Sequence, residues 1–246
     1  MAWLGTWAKR RKITIPDASV EATDTLPIAI HLGTAVGIGS TDVTDIFDDL
    51  GANYKKIALT LSDGDTETVV EVERWDNGNE KATLWARVLV TNGADTELYL
   101  YWDATEGDNA NIKDAGDGTA IWPTGTDEEY QVVYLMGDAA GDIVDSTDNS
   151  WDSLSESITT YRQDGIGGRG YALDFESAVP DFIEIGDLAL EDNDLTVICV
   201  ANAEAVTASG TLVGLWPTVD VFLLYAKDQV PDRWRAMIYD NAPILY

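Results

Sequence analysis

Short runs of alternating apolar residues, each closed by Asn, Asp or Gly, recur along almost the whole chain. Residues 12–16 (KITIP), 26–32 (LPIAIHL), 56–61 (KIALTL), 68–75 (TVVEVERW), 82–90 (ATLWARVLV) and 97–102 (ELYLYW) have the length and two-residue period of strands. Ser62-Asp63-Gly64-Asp65, Asp76-Asn77-Gly78-Asn79 and Asn92-Gly93 separate them, with residue types that suit tight turns. Only residues 44–50 suggest a helix. The second half continues with residues 131–136 (QVVYLM), 170–175 (GYALDF), 182–185 (FIEI), 195–201 (LTVICVA), 210–215 (GTLVGL), 219–226 (VDVFLLYA) and 234–239 (WRAMIY). This punctuation excludes a helical bundle. It predicts an all-β protein of two consecutive antiparallel β-sandwiches. Residues 103–125 are rich in Asp, Gly, Ala and Asn with little apolar periodicity, so they read as a linker. The expected domains are residues 1–122 and 123–246.

Charge narrows the partners. The 246 residues carry 44 acids against 15 bases, a formal charge of −29. Residues 1–126 hold 21 acids and 10 bases and residues 127–246 hold 23 and 5, so acidity belongs to both halves. Such a surface suits a salty medium that screens self-repulsion. It disfavours nucleic acid, whose phosphates need a surplus of Lys and Arg. One cysteine and one histidine exclude an intrachain disulfide, a Cys-based zinc cluster and a multi-histidine metal site. The N-terminus, MAWLGTWAKRRKITIP, runs from apolar to basic, the reverse of a secretory signal. No run approaches the length of a membrane-spanning helix, so membrane insertion is not expected. The chain stops soon after a strand, so the expectation is a longer natural protein or a partner that completes the sheet.

Two resemblances sit on particular residues. Trp7, Arg10 or Arg11, and Ile13-Thr14-Ile15 are followed by an acidic strand ending in Trp, Val70-Glu71-Val72-Glu73-Arg74-Trp75-Asp76. Then come a Trp-containing strand, Ala82-Thr83-Leu84-Trp85-Ala86-Arg87-Val88, and a Tyr-rich strand, Leu98-Tyr99-Leu100-Tyr101-Trp102. In this order the first half resembles an uncharacterised domain of microbial and viral surface proteins that often precedes a concanavalin A-like module. Trp102-Asp103 departs from the Tyr-Gly usual there. Asp145-Ser146-Thr147-Asp148-Asn149, Gly170-Tyr171-Ala172-Leu173-Asp174-Phe175-Glu176, Phe182-Ile183-Glu184-Ile185 and Leu195-Thr196-Val197-Ile198-Cys199-Val200 resemble a laminin-G or concanavalin A-like jelly-roll without its closing strands. These likenesses imply adhesion or carbohydrate binding.

Calcium is the cofactor considered, a hard cation that takes oxygen ligands. Asp145, Asp148 and Asn149 at the polar turn are its candidate ligands, with Asp138 and Asp142 nearby. Asp103, Glu106, Asp108, Asn109, Asp114 and Asp117 form a second acidic group. Neither has the spacing of an EF-hand loop. Trp122, Trp151, Trp216 and Trp234 fall near loops or strand ends and are candidates for stacking on a sugar. Lys9, Arg10, Arg11 and Lys12 concentrate positive charge. They form either a strip paired within the chain or a docking strand for a neighbouring acidic copy.

The chemistry expected is slight. No Gly-x-Ser-x-Gly elbow appears, His31 alternates with Ile30 and Leu32 towards solvent, and Cys199 reads as a buried core residue. Glu71 with Glu73, and Asp174 with Glu176, have the same-face spacing of a glycosidase pair. Alternation places each pair on a solvent face. The sequence therefore predicts a non-enzymatic recognition protein of a virion or extracellular surface. It would be a fibre, tail or capsid-decorating subunit binding a glycan or host receptor, as a homo-oligomer or part of a larger particle. A purely structural subunit and a glycosidase fragment are the alternatives.

Overall fold

Alternation along each strand sorts the first half's side chains into two faces. The strands are β1 (Lys9–Ile15), β2 (Asp24–Leu32), β3 (Ile57–Thr60), β4 (Glu67–Thr68), β5 (Val70–Asp76), β6 (Lys81–Val90), β7 (Thr96–Trp102) and β8 (Ile112–Asp114), with one six-residue helix, α1 (Asp45–Leu50). In this computed structural model residues 3–125, 130–176, 181–186, 188 and 196–201 are described in full, together with the backbone of four later strands. β1, β7, β3 and β4 form one sheet in that order, and β2, β6, β5 and β8 a second. All ladders are antiparallel except β5 with β8, which is parallel.

Both sheets turn their apolar faces into a single cluster. Leu98, Leu100, Ile57 and Leu59 come from the first sheet, and Ile30, Val70, Val72, Leu84, Ala86 and Val88 from the second. Ile13 and Ile15 of β1 pack against it. The helix α1 adds Ile46, Phe47 and Leu50. Asp45 and Asp48 in its first turn complement the helix dipole, and Gly51 ends it at φ 57°, where a side chain would be strained. The opposite face of β7 carries Tyr99 and Tyr101, which pack with Ala58, Leu4 and Trp7 in a second, smaller cluster.

One irregularity in β5 sets which of its side chains reach the core and which the outer side. Its register with β6 runs Val70 to Ala86, Glu71 to Trp85 and Val72 to Leu84, then resumes with Arg74 opposite Thr83. Glu73 is therefore the extra residue of a β-bulge. The bulge shifts the parity, so Trp75 returns to the core beside Phe47, at 4.8 Å between ring centres, while Glu71, Glu73 and Arg74 share the outer side. Strict alternation would have sent Trp75 outward.

The chain divides into two compact units, Met1–Leu188 and Ala189–Tyr246. The expected boundary at 122/123 falls inside the first, because residues beyond it are tied by side-chain hydrogen bonds to β5 and β6. The first unit also holds two short ribbons. β9 (Ser155–Ser157) pairs with β12 (Phe182–Glu184), and β10 (Thr160–Asp164) with β11 (Tyr171–Asp174). The second contains an antiparallel meander of β13 (Gly210–Gly214), β14 (Asp220–Lys227), β15 (Arg233–Asp240) and β16 (Ala242–Leu245). The protein is thus all-β in its sheets with almost no helix, and no helix among the described residues is long and apolar enough to cross a membrane.

Two expected strands do not form. Residues 131–136 lie outside any ladder: Met136 sits at φ 57°, away from strand geometry, and loop groups take up the backbone of Val133. Val133 N–H donates to Asp145 Oδ1, and its carbonyl accepts from Ser146 N–H. Residues 196–201 also lie outside a ladder, with Ile198 86 % and Cys199 openly exposed, so the expected burial of Cys199 is corrected.

Candidate functional site

The outer side of β5 is the most elaborately built polar region among the described residues. Glu71 is fully buried there. Gly116 N–H at 2.8 Å and Ser146 Oγ at 2.7 Å donate to its Oε1, and Trp122 Nε1 at 2.8 Å donates to its Oε2. Glu73 Oε2 accepts from Trp85 Nε1 at 2.7 Å and Oε1 from Tyr171 N–H at 3.0 Å. Four of these five donors come from segments laid across the sheet. Only Trp85 belongs to the sheet itself.

Two glycines let those segments come close. A Cβ on Gly118 would overlap Glu71 Oε2, and one on Gly170 would overlap Glu73 Oε1. Gly170 also sits at φ 63°. Trp85 and Trp122 pack at 5.2 Å between ring centres, and Trp122 meets Tyr130 edge-on at 5.4 Å.

Arg74 holds the last covering segment. It is 3 % exposed and donates to Gly170 O at 2.9 Å, with ion pairs to Asp76 at 2.8 Å and Asp164 at 2.7 Å. Its guanidinium lies 4.8 Å from the Tyr171 ring centre, and its Nε is buried without a hydrogen-bond partner. Thr83 Oγ1 accepts from Gly170 N–H at 2.9 Å and contacts His31 Nδ1 at 3.2 Å. His31 therefore sits on the outer face, as alternation predicts, but half covered. Burial, and then the charge of Arg169, lower its pKa.

Electrostatics follow from the burial. Burial pushes the Glu71 carboxyl above the ordinary range, and the neighbouring Glu73 charge adds to this, while Ser146, Trp122 and Gly116 oppose it. Burial likewise raises Glu73, against Trp85, Tyr171 N–H and Arg74. The expected solvent-facing Glu71–Glu73 pair is corrected: both carboxylates are occupied and covered. The parity of the strand was legible, but not the segments that close over it.

The other anticipated residues scatter. Trp122 is 6 % exposed and belongs to this buried network, so it offers no open face for a sugar. Trp151 is partly buried, and its carbonyl accepts from the Tyr134 hydroxyl. Trp216 lies outside the described residues, and Trp234 is placed only as backbone in β15. Asp145 is 2 % exposed. Its carboxylate accepts from Val133 N–H, Thr147 N–H, Thr147 Oγ1 and Trp151 N–H, so both oxygens organise their own loop. Asp148 is exposed, and Asn149 Nδ2 donates to Gln131 O at 3.0 Å. No group of three or more candidate metal ligands occurs among the described residues.

The basic strand is paired within the chain. Lys9 bonds Asp49 at 2.6 Å, Arg11 bonds Asp45 at 3.1 Å and Lys12 bonds Glu97 at 2.8 Å. Arg10 donates to Tyr101 Oη at 2.7 Å and stacks between Trp3 and Tyr99, 4.2 and 4.5 Å from their ring centres. β1 is the edge of its sheet, where charged side chains discourage stray pairing. No family model, curated protein or solved structure matches the chain.

Proposed function

We propose that this chain is a non-enzymatic recognition subunit of a virion or extracellular surface. In this reading it is built of consecutive β-sandwiches, the second concanavalin A-like, and binds a glycan or host receptor within a homo-oligomer or larger particle. The observation that carries the reading is the use made of Glu71 and Glu73. A glycosidase needs its two carboxyls facing a cleft with room for substrate and water. Here five donors occupy them beneath a cover, an arrangement suited to holding a rigid shape. The formal charge of −29 supports a neutral or cationic ligand over nucleic acid.

A glycan array and a polysaccharide-hydrolysis assay on the purified chain test this together. Binding without turnover is expected, weakened by Trp151→Ala. Hydrolysis that disappears in Asp174→Asn or Glu176→Gln would replace the reading with a glycosidase. Regular assembly with a silent array would replace it with a purely structural subunit.

A further inference from the structure

Trp3 is the one openly exposed tryptophan among the described residues, at 46 %. Its indole is nevertheless held from three directions. The Arg10 guanidinium lies over the ring, 4.2 Å from its centre. Tyr101 meets it at 90° with 5.8 Å between ring centres, and its Nε1–H donates to Trp7 O. Leu4 and Trp7 anchor the same segment by packing on the cluster of Ala58, Tyr99 and Tyr101. The freedom that a ligand would have to remove from an exposed indole is therefore already lost on folding, which favours binding there.

The surroundings of the ring are polar. The outer face of the first sheet runs on from Arg10 to Lys12 and Thr14 of β1, which pair with Tyr101, Tyr99 and Glu97 of β7. Lys12 lies two residues, roughly 7 Å, along the strand from Arg10. Lys12 and Thr14 are exposed, and Lys12 Nζ bonds Glu97 at 2.8 Å. No large apolar residue of β1 or β7 is openly exposed, so Trp3 stands alone, without the apolar core that a protein interface uses. A fixed aromatic surface beside donors and an acceptor suits a sugar ring: its C–H face meets the indole and its hydroxyls meet the polar side chains.

Charge narrows the occupant. Arg10 on one side of the indole repels a second cation approaching the other. A sialylated or sulfated sugar would meet the field of a chain at −29. A neutral ring meets neither penalty. We propose that the side of the Trp3 indole turned away from Arg10 is a stacking subsite for a neutral pyranose, with Lys12, Thr14 and Glu97 hydrogen-bonding its hydroxyls. The subsite rests on the glycan reading given above and is additional to Trp151.

A glycan array carrying neutral hexose, sialylated and sulfated oligosaccharides, read with the whole chain and its variants, tests this. Wild type should prefer the neutral class, and Trp3→Ala should weaken that binding about tenfold or more while Trp3→Phe keeps part of it. Binding unchanged in Trp3→Ala, or a preference for the sialylated or sulfated class, overturns the subsite. Neutral-sugar binding that is lost in Trp151→Ala but kept in Trp3→Ala overturns the subsite alone and leaves the glycan reading standing. A wild-type chain silent on the whole array overturns both. If Trp3→Ala does not fold, NMR of the wild-type chain decides: a Trp3 indole N–H signal shifted by the neutral oligosaccharide that binds best supports the subsite, and an unmoved signal overturns it.

Discussion

Single side chains in this protein are tied to the backbone of distant segments, and their removal has a definite cost. Glu71→Ala leaves Gly116 N–H, Trp122 Nε1 and the Ser146 hydroxyl without their acceptor in a buried place. Each orphaned donor costs ~1–3 kcal/mol, so a loss of about 3 kcal/mol or more is expected in urea unfolding. Gly170→Ala forces a side chain into a positive-φ position against Glu73 and should cost about 2 kcal/mol or more by the same measurement. Asp63 organises its own turn. Its carboxylate accepts from the Asp65 and Thr66 amides and the Thr66 hydroxyl, which hold its pKa down at about 2. The stability it lends the turn at 61–66 is present above the ordinary Asp value and is lost as pH falls through about 2. Carbon-detected NMR should show Asp63 still ionised at about pH 3 while exposed carboxyls without such donors titrate.

Among the elements, α1 and the β5 bulge are the decisive pieces. α1 is about one and a half turns long and has no stability of its own, so its three buried residues hold it. Phe47→Ala should cost about 3–5 kcal/mol, read as a shift in urea midpoint without a change in m-value. The bulge at Glu73 allows core residues on both sides of a two-carboxylate face. Deleting Glu73 would make the ladder regular with Arg74 still opposite Thr83 and Trp75 still opposite Ala82, so Trp75 would stay against Phe47 while Trp85 Nε1 and Tyr171 N–H lose their acceptor. The outcome expected is cooperative unfolding retained in calorimetry, with a loss of about 2 kcal/mol or more in urea unfolding. Strand positions were legible because alternation and turn residues are local signals: β2, β3, β6 and β7 fall where periodicity puts them. β9 and β10 were not, since SES and TYRQD carry no apolar alternation and are recruited by neighbours. Residues 131–136 failed in the other direction, because the Asp145 loop captures their backbone groups before a ladder does.

At the scale of the whole molecule the dominant quantity is the charge of −29. Lowering ionic strength from about 1 M to about 0.01 M lengthens screening from about 3 Å to about 30 Å. Self-repulsion then reaches across each unit, and a melting temperature lower by roughly 2–4 °C per kcal/mol lost is expected at low salt, checked by calorimetry. The ion pairs of Lys9, Arg11 and Lys12 are exposed and add little stability, and charged side chains on an edge strand discourage stray pairing.

By itself the sequence determined that the chain builds sheets, where most strands of its first half lie, which of their faces is apolar and how negative its surface is. These are one-dimensional properties, set by period, turn chemistry and composition. Tertiary structure alone decided that Glu71 and Trp122 are buried together with Glu73 partly covered beside them, and that residues 123–188 belong to the first unit. The reason is physical: burial of a polar group depends on donors some 45 to 98 residues away arriving at it, and no local pattern records their arrival.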